Sequence, residues 1–398
     1  MKKLWMMLSL LLFLAGCQPS DKQVSNKELL KKEWNEIESL AEGSEVNLFM
    51  WGGDPNINQY IDEWVAPRLK EEHDITLNRQ PVDTPTFMQK LLTEKKAGKQ
   101  EGSIDVMWIN GENFKLAKEE ELLYGSFAEK LPSYKYVDKE SGFTEEDAGT
   151  SIDGLEAPWG KVQFVLYYDS AKVKNPPKTM KQLSAWVKEN PGLFTYPNPT
   201  DFTGNAFLRQ FVYEQNQTPS GDVEKDTAHI WSFLTEIEPY LWRKGNTYPE
   251  SLEQLDQLYS RGEVQFTFGF NEARAESLIK NGMFPATTQS YVLDAGSIGN
   301  AHYLSIPFNV KNPAGAMVAV HFLQSPEAQL AKLQPENWGE GTVVSSDSLE
   351  DEMKAAFLDV DRGDSVLPAE ELEKAFKPDL DASYIEYIKE KWKGEVLP

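Results

Sequence analysis

Residues 154–177, GLEAPWGKVQFVLYYDSAKVKNPP, decide how this chain is organised. The apolar run at 162–168 lies between two segments that contain Pro and Gly, and it predicts one buried strand, because seven such residues are too few for an ordinary helix. Asp169 and Pro176 are placed to end it. Strands and helices alternate on either side, so this strand is predicted to carry the chain from one α/β lobe to another.

Length and charge limit the possible functions. A chain of 398 residues with 40% hydrophobic content is long enough for two domains of ordinary size. The formal net charge of −23, from 40 basic and 63 acidic residues, argues against a nucleic-acid partner, because such partners require clustered Lys and Arg. The simplest interpretation of the acidity is solubility.

The first residues, MKKLWMMLSLLLFLAGC, predict a signal peptide at 1–16. Its apolar core is shorter than the roughly 20 residues that a membrane-spanning helix needs. The last four residues resemble a bacterial lipobox, and Cys17 is the only cysteine in the sequence. We therefore expect lipid on Cys17, a tether and helix over 17–43, and a protein held at the extracytoplasmic face of the cell membrane.

The segment before the crossover predicts a first α/β unit. Apolar residues at 46–50, 75–82 and 104–109 predict three strands. Asp54 and Pro55 are typical of the start of a helix between the first two. The resulting βαβαβ pattern predicts a parallel sheet.

The segment after the crossover predicts a second α/β unit. Helices are expected to start at Thr179 and Asp201, and strands are expected at 194–196 and 264–270. Two further strands, at 291–292 and 303–307, are predicted to return the chain to the first lobe. From residue 345 the sequence is charged and predicts helices.

Loops that follow strands are the expected ligand site in open α/β sheets. Four loops join small or polar residues to a helix start, where backbone N–H groups are free. Helix capping explains any one of them, but four loops divided between two lobes favour a site. The candidate ligand-binding residues are Trp51, Gly52, Asp54, Asn110, Glu112, Asn113, Trp159, Asp201, Thr203, Gly204, Trp242, Phe270, Asn271 and Glu272.

The aromatic residues at these loops have two interpretations, stacking on a ligand or packing in the core. Trp108 lies inside an apolar strand, which favours the core. For Trp51 and Trp159, both beside glycines, the two alternatives stay open.

Catalytic motifs are scarce in the sequence. The four histidines are isolated, and no HExxH or CxxC spacing occurs, so we expect neither a metal nor a cofactor. No GxSxG, P-loop or GxGxxG motif occurs either. Two carboxylates near the proposed cleft leave a lipid-anchored, carbohydrate-active enzyme as the alternative to a binding protein.

Several motifs resemble those of extracellular solute-binding proteins of ABC importers, in their YnjB-like branch. They are FMWGGD at 49–54, WINGENF at 108–114, DGLEAPWG at 153–160, DFTG at 201–204, and IPFN, AGAMV and SPEAQ between 306 and 329. The resemblance implies an α/β protein with the type II periplasmic-binding-protein fold, in which strands cross a hinge between two lobes. It also implies a non-enzymatic monomer that captures a small-molecule solute and delivers it to the permease transmembrane subunits.

The expected domains are a first lobe over 44–158 and 288–330, a second lobe over 159–287, and a C-terminal helical segment over 331–398 that packs across both. Four acidic residues in the candidate loops, with Arg243 the one basic residue expected at the cleft, favour an organic cation. A thiamine-like compound, as the resemblance suggests, and a polyamine both fit. A sugar remains the alternative.

Overall fold

The computed structural model describes residues 26–215 and 217–396. The strands are β1 (Glu45–Met50), β2 (Thr76–Pro81), β3 (Val106–Ile109), β4 (Glu146–Asp147), β5 (Thr150–Ser151), β6 (Glu156–Gln163), β7 (Val165–Asp169), β8 (Phe266–Gly269), β9 (Thr288–Tyr291), β10 (Ser297–Ser305) and β11 (Phe376–Pro378). Predicted features at 1–25, including lipid on Cys17, lie outside the described residues.

Helices occupy much of the remaining chain. The α-helices are α1 (Asn26–Leu29), α2 (Trp34–Ala41), α3 (Pro55–Gln59), α4 (Ala66–His73), α5 (Thr84–Lys96), α6 (Glu112–Glu119), α7 (Met180–Glu189), α8 (Phe202–Gln210), α9 (Val212–Gln215), α10 (Val223–Ile237), α11 (Leu252–Ser260), α12 (Arg274–Lys280), α13 (Pro313–Leu323), α14 (Pro326–Leu333), α15 (Asp351–Leu358), α16 (Ala369–Ala375) and α17 (Ala382–Glu395). A π-helical segment, Tyr60–Val65, joins α3 to α4, and 3₁₀ turns lie at Ala128–Lys130, Pro132–Tyr136, Glu238–Tyr240, Trp242–Gly245 and Ser346–Ser348.

The first sheet confirms the predicted βαβαβ unit. β1 pairs in parallel with β2 and with β3. β10 then joins antiparallel to β3 on one side and to β6 on the other, and β11 extends the β3 side of β10. Val46, Leu48 and Met50 alternate with less buried residues along β1 and are fully buried, because one face of this strand packs in the core.

The second sheet is smaller and antiparallel. β7 lies at its centre, between β8 and β9. A large apolar cluster surrounds it and includes Phe207, Phe266 and Phe268, with the rings of Phe207 and Phe268 stacked at 4.6 Å. Each lobe therefore has its own sheet and core.

The crossover differs from the prediction of one strand at 162–168. The chain breaks at Phe164 into β6 and β7, which belong to different sheets. At the break, the Phe164 N–H donates to the Ile298 carbonyl at 2.8 Å. The chain therefore leaves the first sheet at Phe164 and not at the expected boundary of 158/159.

The return path also differs from the prediction. Strand β9 pairs with β7 in the second sheet, so the expected boundary at 287/288 is too early. The chain reaches the first sheet only with β10. The true return segment is the short stretch 292–296.

Two further local predictions are wrong. Residues 194–196 form no strand, because Phe194 makes a single backbone bond to Trp242 (2.8 Å) instead of a ladder. The N-terminal helix is two helices, α1 and α2, which are separated by a turn whose bonds include Lys32 N–H to Leu29 O at 3.0 Å.

The C-terminal segment contacts both lobes. β11 pairs with β10 in the first sheet. Helix α17 packs Ile388 and Trp392 into the core of the second lobe, and its Tyr384 hydroxyl donates to Asp226 at 2.6 Å. This segment is thus a structural bridge. Among the described residues, no helix is both long and apolar enough to cross a membrane.

Candidate functional site

The loop after β1 presents an aromatic ring beside a helix N-terminus. Trp51 is 36% exposed, and its indole lies over Gly53, where an added Cβ would come within 2.4 Å of the ring. A Cβ on Gly52 would approach the Pro81 side chain to 2.5 Å, so this position favours glycine. The Asp54 carboxylate caps α3 by accepting the Asn56 N–H at 2.8 Å.

The loop after β3 turns through Gly111, whose φ of +59° favours glycine. Asn110 and Asn113 are half-buried. Glu112 opens α6 and forms an ion pair with Lys389 of α17, with 2.6 Å between Nζ and Oε1. The C-terminal helix therefore already uses one of the predicted ligand carboxylates.

In the second lobe, Asp201 caps α8 by accepting the Gly204 N–H at 2.8 Å. Burial raises the pKa of Asp201, and its hydrogen bonds with backbone N–H groups oppose that rise. Thr203 is buried, and a Cβ on Gly204 would lie 2.4 Å from the Pro197 carbonyl oxygen. These residues thus position the helix start.

An aromatic pair borders the same helix start. Phe202, which the sequence analysis did not select, is 44% exposed, and its ring lies 5.3 Å from that of Phe270. The sequence feature that could have identified Phe202 is its position directly after the cap residue Asp201. Its exposure gives the second lobe an apolar surface that can take part in stacking.

The loop after β8 makes contacts across to the first lobe. Asn271 has a φ of +72°, and its carbonyl accepts the Tyr167 hydroxyl at 2.8 Å. Its side-chain amide donates to the carbonyl of Trp338, a residue of the first lobe's core, at 3.5 Å. Glu272 forms an ion pair with Arg362 at 3.2 Å, and its other carboxylate oxygen is buried without a partner among the described residues.

Further contacts join α3 to α12, and so one lobe to the other. The Asn56 amide donates to the Ser277 hydroxyl. Burial lowers the pKa of Arg274, while the Tyr167 hydroxyl and the Asp54 carboxylate oppose that shift. The helices that follow the loops after β1 and β8 therefore meet across the lobe boundary.

Trp242 does not lie with these loops. Its backbone bonds to Phe194, and its indole N–H donates to Glu263, which precedes β8, whereas Phe270 follows β8. Trp242 therefore sits at the opposite end of that strand. Arg243 goes with it, because its guanidinium lies 4.1 Å over the Trp242 ring and not in the cleft.

Trp159 is a core residue in this structure, which favours the packing alternative. Its side chain has no exposed surface, and its ring packs edge-on against Trp108 and Trp338 at 5.4 and 5.1 Å. Trp108 is also in the core, as predicted. Trp51 keeps the exposure that a stacking residue needs.

A buried charged group beside Trp159 was missed from the sequence. Lys332 donates to the Trp159 carbonyl at 2.5 Å, and burial lowers the pKa of Lys332 to about 8 while Glu340 and Glu272 oppose that shift. Glu340, also fully buried, lies 2.8 Å from the His302 ring. No motif marks these residues, because helices, strands and loops far apart in sequence bring them together.

No cluster of three or more His, Cys, Asp or Glu within the described ranges is arranged to hold a metal ion. The site consists of exposed aromatic rings, capped helix starts and carboxylates that mostly have partners. Such an arrangement suits reversible binding.

Comparison with known proteins gives a family. Residues 64–357 match the model of the bacterial extracellular solute-binding protein family. Protein YnjB of Escherichia coli K12 is 37% identical over 329 residues, which are 80% of this chain and 84% of that protein.

Solved structures share the fold. A spermidine/putrescine substrate-binding protein, PotD of Streptococcus pneumoniae, aligns with a TM-score of 0.64 at 15% identity, over 88% of this chain and 99% of that one. The sugar-phosphate-bound AfuA of Actinobacillus pleuropneumoniae aligns with a TM-score of 0.60 at 14% identity, over 89% and 98%. The chain therefore belongs to the bacterial extracellular solute-binding proteins, and it has the two-lobed type II fold that these solved binding proteins share.

Proposed function

We propose that the protein captures a small organic cation between its lobes and delivers it to an ABC permease without chemistry of its own. The observation that carries this proposal is the pair of exposed aromatic side chains, Trp51 and Phe202, each beside a capping carboxylate. Stacking and cation–π contacts suit a charged ligand with a flat or apolar part. Two of the proteins that share this fold are named as spermidine/putrescine transporter proteins.

The carboxylates at the proposed cleft already have partners, with which a cationic solute would compete. Glu112 and Glu272 already face Lys389 and Arg362, and Asp54 and Asp201 serve as caps. A cation has to share or replace these partners. Glu272 retains one buried oxygen without a partner among the described residues, and a ligand N–H donor would satisfy it.

Two arginines support a second candidate, a phosphorylated sugar. Arg274 and Arg362 each keep one buried side-chain nitrogen without a partner in the described ranges. Guanidinium groups recognise phosphate oxygens well. The structure of AfuA has fructose 6-phosphate bound.

The arrangement at the membrane is also part of the proposal. We propose that lipid on Cys17 anchors a monomer at the extracytoplasmic face, where its lobes, joined at Phe164 and at 292–296, can dock on the permease transmembrane subunits.

The test uses protein that has been unfolded, dialysed and refolded, so that bound solute is lost. Thermal shift and calorimetry should be run with spermidine, putrescine, thiamine, fructose 6-phosphate and maltose. We expect a cation to raise the stability, by about 2.7 kcal/mol at a hundredfold excess over Kd, and to be recovered unchanged. Tight binding of maltose alone, or consumption of a ligand, would overturn the proposal, and binding of fructose 6-phosphate alone would select the second candidate.

A further inference from the structure

A cavity of about 180 Å³ lies beside the first sheet, where the β4–β5 hairpin meets β10 and β11. Candidate cleft residues do not line it, so it is separate from the site described above. Its wall includes Phe143, Asp147, Asn300, Tyr303, Phe376 and Asp379.

Two buried side chains of this wall lack a hydrogen-bond donor. Asp147 is 2% exposed; one carboxylate oxygen accepts the Gly111 N–H, and the other has no partner among the described residues. Asn300 is 9% exposed, and its amide nitrogen donates to Asp379 at 3.3 Å, which leaves its oxygen unpartnered in the same part of the chain. The free Asn300 oxygen is an acceptor, and the free Asp147 oxygen is one when the carboxyl is ionised, so a donor group would satisfy both.

The charged groups around the cavity also favour a cationic ligand. Asp379 is neutralised by Arg209 through bonds of 3.0 and 2.9 Å. Asp147 and the fully buried Glu156 behind it form no ion pair with any described side chain. Burial raises the pKa of Asp147 to about 8, and burial together with the charge of Asp147 raises that of Glu156 well above its usual range. With a pKa near 8, Asp147 is mostly protonated at pH 7 in the free protein, and a cation bound beside it would favour the ionised carboxylate.

The remaining wall combines the acidic residues Glu145 and Glu146 with two aromatic rings. The rings of Phe143 and Phe376 lie 6.1 Å apart, edge to face. The Lys161 ammonium lies 5.6 Å from the Phe376 ring, but Lys161 does not line the cavity. The volume accommodates a group of a few heavy atoms with a hydrocarbon part against these rings.

We propose that this cavity binds a small protonated amine, which donates hydrogen bonds to Asp147 and Asn300 and packs its carbon chain against Phe143 and Phe376. A metal ion fits less well, since the described residues include no set of three suitable ligands. Asp147 also accepts the Gly111 N–H, so an amine bound to Asp147 would contact a residue that positions the loop at 110–113. The site is independent of the solute proposed for the cleft.

The test is ligand-observed NMR and calorimetry with ethylammonium and n-butylammonium chloride, with potassium chloride and ethanol as controls. We expect Asp147→Asn, which preserves the shape and the acceptor for Gly111, to weaken binding of the amines at least tenfold. Asp153→Asn is the matched control, because it removes the same charge from an exposed side chain paired with Lys118, away from the cavity wall. Equal affinity of wild type and Asp147→Asn overturns the proposal.

A crystal soak of the wild-type protein with ethylammonium chloride needs no variant. An ammonium group within hydrogen-bond distance of Asp147 and Asn300 supports the site. Occupancy of the interlobe cleft alone, of neither site, or of this cavity by potassium in preference to the amine overturns it. Trp51→Ala should leave amine binding here unchanged, which separates this result from failure of the proposed function.

Discussion

Lys389 of α17 and Glu112 of α6 join the C-terminal helix to the loop that follows β3, through an ion pair of 2.6 Å. Their side chains are 24% and 32% exposed, so the pair contributes only about 0–1 kcal/mol. If Glu112 binds a cationic solute, Lys389 competes with that solute. We expect Lys389→Gln to tighten binding roughly two- to fivefold by calorimetry.

Lys391→Gln is the matched control for this effect. Lys391 lies on the same helix but pairs with Glu395, one turn away, at 2.6 Å. Lys391→Gln removes the same charge as Lys389→Gln but leaves the ion pair of Glu112 intact. Identical affinities of the two variants would contradict a role for Glu112 in binding.

Trp51 and Trp242 give a second test, because the sequence predicts both as ligand contacts and the structure separates them. Loss of one cation–π contact costs about 0.5–2 kcal/mol, so Trp51→Ala should weaken binding roughly two- to thirtyfold. Trp242→Ala should leave the affinity unchanged, because its ring bonds to Glu263 at the far end of β8. If Trp242→Ala weakens binding more than Trp51→Ala does, the ligand site lies at the end of β8 near Trp242.

The structure also shows which features can be predicted from local sequence and which depend on long-range contacts. The first unit was predictable because its signals are local: alternating burial in β1, and Asp54 with Pro55 at the start of α3. Trp242 was misplaced because long-range bonds to Phe194 and Glu263 fix its position.

The break at Phe164 was hidden for a related reason. Val162 and all residues from Phe164 to Tyr167 are buried, and Gln163, the one polar residue among them, is buried as well, so burial does not mark the change of sheet. It is decided by pairing, since β6 finds β10 whereas β7 finds β8 and β9.

Ligand-driven closure is the third prediction. The lobes are joined by narrow connections at Phe164 and 292–296 and by the bridging C-terminal segment. The two narrow connections can act as hinges on a microsecond-to-millisecond scale. Small-angle scattering of the refolded protein should show a smaller radius of gyration with the solute than without it. Trp51→Ala at the same solute concentration should show a smaller change, and an unchanged wild-type radius at saturation would exclude hinge closure.

Anchoring is the fourth prediction, and it depends on the lipobox and on the single cysteine of the sequence. Cys17→Ala should fold normally but leave the membrane fraction, because one thiol carries the proposed lipid. Mass spectrometry of the wild-type N-terminus should show the added lipid. Membrane retention of the variant, together with an unmodified wild-type mass, would exclude lipidation.

The fifth prediction concerns acid stability. His321 accepts the Ser133 N–H at 3.2 Å and packs edge-on against Trp34 at 5.0 Å. Burial, with smaller effects of His73 and Lys135, lowers its pKa to about 4. Between pH 6.5 and pH 4 the unfolded chain binds the extra proton, so stability falls as the pH falls through that range.

Protonation of His321 is expected to lower the free energy of unfolding by on the order of 2–3 kcal/mol between pH 7 and pH 4. Thermal melts of wild type and His321→Gln from pH 7 to pH 4 should measure it. The variant is expected to be less stable at pH 7 but to lose less stability on acidification. Parallel curves for the two proteins would show that His321 does not titrate in this range.

The position of β10 determines the order in which the molecule can assemble. This strand lies between β3 and β6 in the first sheet, yet it follows the whole second sheet along the chain, and β11 joins it only from residue 376. The second sheet, by contrast, is continuous from 165 to 291. During synthesis the second sheet can therefore form first, although α17 completes its core only at the end of the chain, while the first sheet, which starts earlier, waits for β10 and β11. Such long-range pairing slows folding and keeps the chain open until nearly all of it has been made.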